Sequence, residues 1–182
     1  MLPVETARLT LSRPEDADAE ELFVIGSDPR VWRHFPSGRH ADIAQTRAVM
    51  SRWLESWIQV GLGAWVVRPL GSSRVIGYGG CTLMAGGTIW NLGYRLAADE
   101  HGQGYATEIA QEAVRHAALV LPDLPIVAYL LEHNIASARV AVKLGFDLAY
   151  RGRDADNPDP SAIRLVYSNR ALTDAELGVV LR

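Results

Sequence analysis

The stretch that decides the fold is HGQGYATEIAQEAVRHAALV, residues 101–120. Gly102 and Gly104 precede a segment whose apolar residues recur at helical spacing, and Pro122 ends that segment. A helix N-terminus has unpaired backbone N–H groups and the positive end of the helix dipole, so it can bind an anion. Two interpretations of the glycines remain open: a turn that needs their conformational freedom, or a site where a pyrophosphate approaches the backbone.

Strand-like segments flank this turn and helix. Residues 88–96 predict a strand before it, and residues 126–131 are almost continuously apolar, which is typical of a central strand covered on both faces. A strand, a helix and a second strand in this order can form a parallel pair. Upstream lie two more strand-like segments, 64–68 and 75–84. The turn at 85–87 is short and Gly-rich, which predicts an antiparallel meander.

The remaining elements follow from helix caps and from alternating polar and apolar residues. They are a strand at 8–12, a helix between Pro14 and Asp28, a helix from Asp42 to Gly61, a helix from Asn134 to Gly145, strands at 146–150 and 162–167, and a last helix opened by the Thr173–Glu176 capping box. With 182 residues, the chain suits one compact domain, residues 1–182. The order of elements predicts a mixed α/β fold around one central sheet.

The composition excludes several classes of partner. A net charge of −3 and a pI near 5.9 give no general attraction to nucleic acid or to anionic membranes. Cys81 is the only cysteine, so neither an intramolecular disulfide nor a Cys-based zinc cluster can form. The N-terminal residues do not have the pattern of a secretory signal, and no uncharged apolar stretch is long enough to cross a bilayer. We therefore expect a cytoplasmic protein that uses no metal and binds neither nucleic acid nor membrane.

Three side chains invite a functional interpretation but favour a structural one. Trp53 and Trp57 lie one helical turn apart and could stack on a ring, yet a pair of core anchors is the favoured interpretation. Cys81 could form a covalent acyl intermediate. It lies in the middle of a predicted strand without a recognisable His or acid partner, which favours a small buried apolar residue.

Other phosphate-binding motifs fit the glycine pair less well. No Lys-Ser or Lys-Thr follows it, as a P-loop would require. Thr107 stands where a dinucleotide-binding fingerprint has its third glycine. Both nucleotide-binding alternatives are therefore disfavoured.

Four short motifs resemble the core of the GCN5-related N-acetyltransferases (GNAT). They are LGYRL at 92–96, HGQGYATE at 101–108, NIAS at 134–137 and KLGF at 143–146. The start of the chain is similar to the RimJ and RimL branch of this superfamily, through ETARLTL at 5–11 and SDPRV at 27–31. The resemblance covers nearly the whole chain. It implies a central mixed, mostly antiparallel sheet flanked by helices.

The resemblance also implies an acetyl-CoA site. The phosphate loop of the family has Gln or Arg where His101 stands, and Gly104 and Ala106 match its later small residues. The loop residues implied to bind the cofactor, chiefly through backbone N–H groups, are His101, Gly102, Gln103, Gly104, Tyr105, Ala106 and Thr107. The pantetheine arm would pair with the backbone near Tyr94, Arg95 and Leu96 like an added strand.

Asn134 and Ser137 allow two interpretations. As a helix N-cap and a first-turn residue, neither of them requires a function. In the resembling family the Asn position contacts the cofactor and the Ser position lies near its sulfur. Ser137 is therefore the candidate general acid that protonates the departing thiolate, with Asn134 beside it. Glu132 and His133 are titratable groups expected near the same place.

Taken together, these features predict an N-acetyltransferase in which acetyl-CoA docks between splayed strands and an amine attacks it directly from the other side of the sheet. The acceptor would be a peptide N-terminus or a small molecule such as an antibiotic, a polyamine or an amino acid; a non-catalytic acyl-CoA sensor is the alternative. The first two helices and the loop 154–161 are expected to form the acceptor pocket. The protein is expected to be a monomer or a homodimer. Asn91 stands where related sequences often carry Glu, so the general base must lie elsewhere.

Overall fold

The computed structural model describes residues 2–84, 86–155 and 157–181. Across these ranges the chain forms eight strands and five α-helices. In chain order they are β1 (Val4–Glu5), β2 (Leu9–Ser12), α1 (Ala19–Ser27), α2 (Ile43–Val60), β3 (Trp65–Pro69), β4 (Gly77–Leu83), β5 (Trp90–Leu96), α3 (Tyr105–Val120), β6 (Ile126–Leu131), α4 (Ile135–Lys143), β7 (Asp147–Arg153), β8 (Ile163–Ser168) and α5 (Asp174–Val180).

The strands form a single sheet in the order β1-β2-β3-β4-β5-β6-β8-β7. Every neighbouring pair is antiparallel except β5 and β6, which are parallel and joined through α3. The mixed, mostly antiparallel sheet, the β3–β4–β5 meander and the parallel pair are therefore confirmed. Strand β1 was not predicted, because two residues are too few to display an alternating pattern.

Helices cover both faces of this sheet, as neighbouring residues of β3 demonstrate. Trp65 and Val67 belong to the core cluster that contains the buried residues of α3, whereas Val66 belongs to the cluster that contains those of α1. Successive side chains of a strand point to opposite faces, so α1 and α3 lie on opposite sides. Helix α2 contributes to both clusters through Trp57 and Trp53.

The ends of α2 follow local sequence signals. The side chain of Asp42 accepts a hydrogen bond from the Gln45 N–H at 2.9 Å, and Gly61 ends the helix with a left-handed φ of 74°. Both predicted boundaries are confirmed. The capping box at Thr173 is confirmed too, since its hydroxyl accepts from the Glu176 N–H at 3.2 Å.

The side chains given a structural interpretation are buried. Trp57 donates from Nε1 to the Ala64 carbonyl oxygen at 3.0 Å, and the ring centroids of Trp53 and Tyr78 lie 4.4 Å apart. Cys81 is fully buried, and this burial raises the pKa of its thiol, so a thiolate nucleophile is disfavoured. These residues stabilise the core.

One expectation for β6 is wrong in part. Its side chains were expected to be covered on both faces, but Tyr129 is 45% exposed. Strand β6 has left β5 at that level of the sheet, so one flank of Tyr129 has no neighbouring strand. In the predicted turn 85–87, Ala85 lies outside the described residues. Among the described residues, no helix combines the length and hydrophobicity needed to cross a bilayer.

Candidate active site

Strands β5 and β6 diverge after only two paired positions, Trp90 with Ile126 and Asn91 with Val127. Beyond this fork, β5 continues to pair with β4 on its far side, and β6 continues to pair with β8. A gap therefore opens between residues 92–96 of β5 and the last residues of β6. Among the described residues, no strand pairs with the backbone edges that face this gap, so an extended ligand can pair there.

The turn between β5 and α3 leaves its backbone open at Gly102. Gly102 has a φ of +80° and Gly104 a φ of +83°, the left-handed region that glycine tolerates best. A Cβ atom added to Gly102 would meet no atom within 4 Å. Within the described chain, no acceptor engages the N–H groups of residues 102–106, whereas Thr107 and Glu108 already donate to the Gly104 carbonyl oxygen. These unpaired donors at the positive end of α3 can bind an anion.

The side chains of this turn are directed back onto the protein. The Nε2 atom of His101 lies 3.0 Å from the Leu96 carbonyl oxygen. Gln103 donates from Nε2 to Glu100 at 3.2 Å. The backbone, more than these two side chains, is thus left to face a ligand.

The side chains of Tyr94, Arg95 and Leu96 alternate across the sheet. Tyr94 and Leu96 pack in the core cluster that contains the buried residues of α3, so they lie on the face of the sheet that α3 covers. Arg95 points the other way, and its guanidinium carbon lies 3.4 Å from the centroid of the Trp32 ring. Its side chain therefore lies on the face of the sheet opposite to Tyr94 and Leu96. The sequence contains no signal that pairs Arg95 with Trp32, because 63 positions separate them.

Ser137 and Tyr94 are brought together, and Asn134 is used as a cap. The Asn134 side-chain oxygen accepts from the Ser137 N–H at 3.2 Å at the start of α4. Burial raises the pKa of the Tyr94 phenol above its ordinary value, and a hydrogen bond with the Ser137 side chain acts in the opposite direction. The Tyr94 phenol is therefore protonated at neutral pH. The contribution of the Tyr94 side chain was not foreseen from the sequence.

Glu132 and His133 follow β6, but each is already engaged. Both carboxylate oxygens of Glu132 accept from Arg151, at 2.6 and 3.1 Å, and this hydrogen bonding lowers the pKa of Glu132. The Nε2 atom of His133 lies 3.0 Å from the His34 carbonyl oxygen. The two imidazole rings are 5.6 Å apart. His34 comes from the connection between α1 and α2, where no sequence motif marks it.

Two cavities adjoin His34 on the α1–α2 side of the molecule. One, of about 250 Å³, is rich in cations; its lining residues are Arg30, Val31, Arg33, His34, Ala98 and His101. The other, of about 330 Å³, is more apolar; its lining residues are His34, Phe35, Pro36, Ser37, Leu131, His133, Asn157, Pro158, Asp159 and Ala162. Both cavities are lined by the connection between the first two helices, and the second also by residues of the loop 154–161. The place of the acceptor pocket stays a prediction. Asp156 of the expected loop lies outside the described residues.

The chemistry available here is that of hydrogen-bond donors and protonated hydroxyls. Within residues 2–84, 86–155 and 157–181, no cluster of three or more His, Cys, Asp or Glu side chains is arranged to hold a metal ion. Burial lowers the pKa of His34, and the electrostatic effects of His133, His101, Arg95 and Arg33 act in the same direction. His34 is therefore neutral at physiological pH and can accept a proton.

Comparison with known proteins relates the chain to acetyltransferases. The family model described as the acetyltransferase (GNAT) domain matches residues 8–147. The uncharacterized N-acetyltransferase YoaA of Bacillus subtilis is 26% identical over 148 residues, which are 80% of this chain and 84% of YoaA. An acetyltransferase from Agrobacterium tumefaciens is 27% identical with a TM-score of 0.73, over 93% of this chain and 95% of that one.

A fourth comparison concerns the fold alone. RimL, a ribosomal L7/L12 α-N-protein acetyltransferase solved in complex with coenzyme A, has a TM-score of 0.76 at 16% identity. The match covers 93% of this chain and 98% of RimL.

Proposed function

Because this chain belongs to the GNAT acetyltransferase family, whose members use acetyl-CoA, we propose that it acetylates the α-amine at the N-terminus of a protein or peptide. The whole chain, residues 1–182, acts as one acetyltransferase domain in this proposal. The observation that carries the donor half is the gap between β5 and β6, which leads from the fork at Asn91 past the open amides of the Gly102–Gly104 turn.

The donor fits this gap in a specific orientation. The pyrophosphate binds to the N–H groups of residues 102–106. These donors have no acceptor in the described chain, and no side chain covers Gly102. The pantetheine arm runs along the edge of β5 that faces the gap, at Tyr94, Arg95 and Leu96, where His101 Nε2 also lies 3.0 Å from the Leu96 carbonyl oxygen. This orientation leaves the thioester near the fork, with Ser137 and Tyr94 on one face of the sheet.

The reaction is direct acyl transfer. The neutral amine nitrogen attacks the thioester carbonyl carbon, the C–S bond breaks, and the thiolate takes a proton from the Ser137 hydroxyl. The proton that the amine nitrogen loses as the amide forms restores the Ser137 hydroxyl. The nearby Tyr94 phenol stays protonated, because burial raises its pKa. Backbone N–H donors along the gap stabilise the carbonyl oxygen as negative charge develops on it.

The choice of an α-amine as the acceptor rests on the absence of a free carboxylate from the side chains of Asn91 and Glu132. Asn91 has an amide side chain that cannot act as a base, and Glu132 is bound by Arg151. An α-amine has an ordinary pKa near ~8 and loses its proton easily, whereas a lysine amine, near ~10.4, requires a stronger base. The cavity of about 330 Å³ beside His34 has room for the first side chains of a peptide. The likeness to RimL, an α-N-protein acetyltransferase, and the RimJ/RimL-like start of the chain support the same acceptor class.

The test is CoA release from acetyl-CoA with a panel of acceptors. The panel contains short peptides with free N-termini, the same peptides with blocked N-termini and one internal lysine, polyamines, aminoglycosides and free amino acids. The proposal is supported if peptides with free N-termini are acetylated and the same peptides with blocked N-termini are not. Faster turnover with a small amine would assign a small-molecule acetyltransferase instead. Binding of acetyl-CoA without turnover on any amine would indicate an acyl-CoA sensor.

A further inference from the structure

Arg8 and Glu108 form an ion pair between chain segments that lie 100 positions apart. The Arg8 Nε and Nη2 atoms lie 2.8 and 2.6 Å from Glu108 Oε2, and the Arg8 N–H donates to Oε1 at 3.0 Å. The hydroxyl of Thr6 donates to the same Oε1 at 2.6 Å. Both carboxylate oxygens of Glu108 are therefore bound by the segment that leads into β2.

The same guanidinium also holds the glycine-rich turn. Its Nη1 donates to the Gln103 carbonyl oxygen at 2.8 Å. Its central carbon lies 4.6 Å from the centroid of the Tyr105 ring, and Nη2 lies 3.5 Å from where a Cβ of Gly104 would stand. Arg8 thus contacts Gln103 and Tyr105 and lies beside Gly104, while the N–H groups of these three residues have no acceptor in the described chain.

Glu108 matters because of its position in the first turn of α3. Although burial acts to raise it, hydrogen bonds from Thr6 and Arg8 hold the pKa of Glu108 below its ordinary value, so the carboxylate is charged at neutral pH. An unpaired negative charge there would repel a pyrophosphate bound at the same helix end. The Arg8 guanidinium cancels that charge.

We propose that Arg8 is a positioning residue of the acetyl-CoA site: it fixes the turn through the Gln103 carbonyl and neutralises Glu108, so that the pyrophosphate meets oriented donors without a repelling charge. This inference rests on the proposed donor site. It predicts that Arg8 affects donors that carry the pyrophosphate and leaves donors without it unaffected. A role limited to fastening the N-terminal segment would affect both kinds of donor equally.

The experiment compares two donors in the full chain: acetyl-CoA, and S-acetylpantetheine, which has the thioester and pantetheine arm without the pyrophosphate. Arg8→Ala and Arg8→Gln are expected to raise KM for acetyl-CoA about tenfold or more. The value of kcat/KM for S-acetylpantetheine is expected to change less than twofold. Arg8→Ala combined with Glu108→Gln should recover part of the acetyl-CoA affinity, because the uncompensated charge is gone.

Arg170→Ala provides a matched control. Arg170 pairs with Glu176 at 2.7 Å and also donates to backbone carbonyls. The two side chains are 42% and 17% exposed, close to the 47% and 16% of Arg8 and Glu108. Arg170→Ala should lower the melting temperature to a similar extent and leave both donors unaffected.

Gly102→Ala separates failure of this inference from failure of the proposed site. If Gly102→Ala weakens acetyl-CoA binding while folded Arg8→Gln stays within twofold of wild type, the role of Arg8 is overturned and the site stands. If Arg8→Gln impairs both donors equally, Arg8 is only a structural fastener. If Gly102→Ala leaves acetyl-CoA binding unchanged, the donor site itself is overturned, and the inference with it.

Discussion

The Ser137 side chain on α4 lies close to the phenol of Tyr94 on β5, and it lowers the pKa of that phenol against the larger, opposite effect of burial. A serine hydroxyl beside a protonated phenol can donate a proton to a leaving group. The pair therefore directs attention to the leaving-group side of the reaction. The catalytic hypothesis for Ser137 can therefore be tested by comparing kcat of Ser137→Ala with kcat of Tyr94→Phe.

Ser137→Ala should lower kcat about tenfold or more while changing KM for acetyl-CoA little, because a general acid acts in the transition state. Steady-state kinetics with a good acceptor measures the split, and Ser51→Ala, which removes an exposed hydroxyl of α2, is the control. Tyr94→Phe should have a smaller effect in the same direction. Unchanged kcat in a Ser137→Ala variant with an intact melting temperature would return Ser137 to a purely structural role.

Gly104→Val should weaken acetyl-CoA binding by an order of magnitude or more, as measured by calorimetry. Any side chain there adopts a disfavoured left-handed conformation, which costs about 1–2 kcal/mol, and its branches would lie close to Arg8 and the anion site. Gly71→Ala controls for the strain, since Gly71 has a φ of +75° and open space around it, far along the chain from the turn. Equal acetyl-CoA affinities for a folded Gly104→Val variant and wild type would remove the pyrophosphate assignment.

Acceptors with a low amine pKa should be favoured, because Asn91 offers no carboxylate at the fork. At neutral pH, N-terminal peptides should be acetylated faster than a lysine side chain of similar size. Raising the pH toward 9 should narrow the difference, because more of the lysine amine becomes neutral. Asn91→Glu should selectively increase the rate on lysine amines. A lysine side chain or polyamine that outpaced every N-terminal peptide at neutral pH would contradict this prediction.

His40 should make the folded state less stable as the pH falls below about 6.5. Its ring is buried and lies 2.8 Å from the Thr46 hydroxyl through Nδ1. Burial lowers the pKa of His40, and the charges of Arg95 and Arg52 lower it further, against a smaller opposing effect of Asp42. The unfolded chain then takes up the proton first on acidification, so stability present above pH 6.5 is lost as the pH falls toward the folded-state pKa.

The measurement for His40 is urea denaturation at several pH values between 5.5 and 7.5. The pH dependence of the unfolding free energy should be shallower in His40→Asn than in wild type. His34 titrates in the same direction in both proteins, so the difference between the two curves isolates His40. Parallel curves for the two proteins would exclude His40 as the source.

Local features of this chain could be predicted because their causes are local. The cap at Asp42, the left-handed stop at Gly61 and the Gly102–Gly104 turn depend on residues within one helical turn of each other. The burial of Trp53 followed from helical periodicity. The family resemblance added the expected place of the donor, which no single motif specified.

The sequence by itself thus determined the elements, their order, the mixed sheet and the open turn before α3. Only the tertiary structure decided that β5 and β6 part after Asn91, that Arg8 meets Glu108, and that Tyr94 meets Ser137. These relationships depend on strand register and on the paths of connections between distant segments. The free energy of such contacts is set by the packing of the whole sheet, so a periodic pattern along one segment does not contain them.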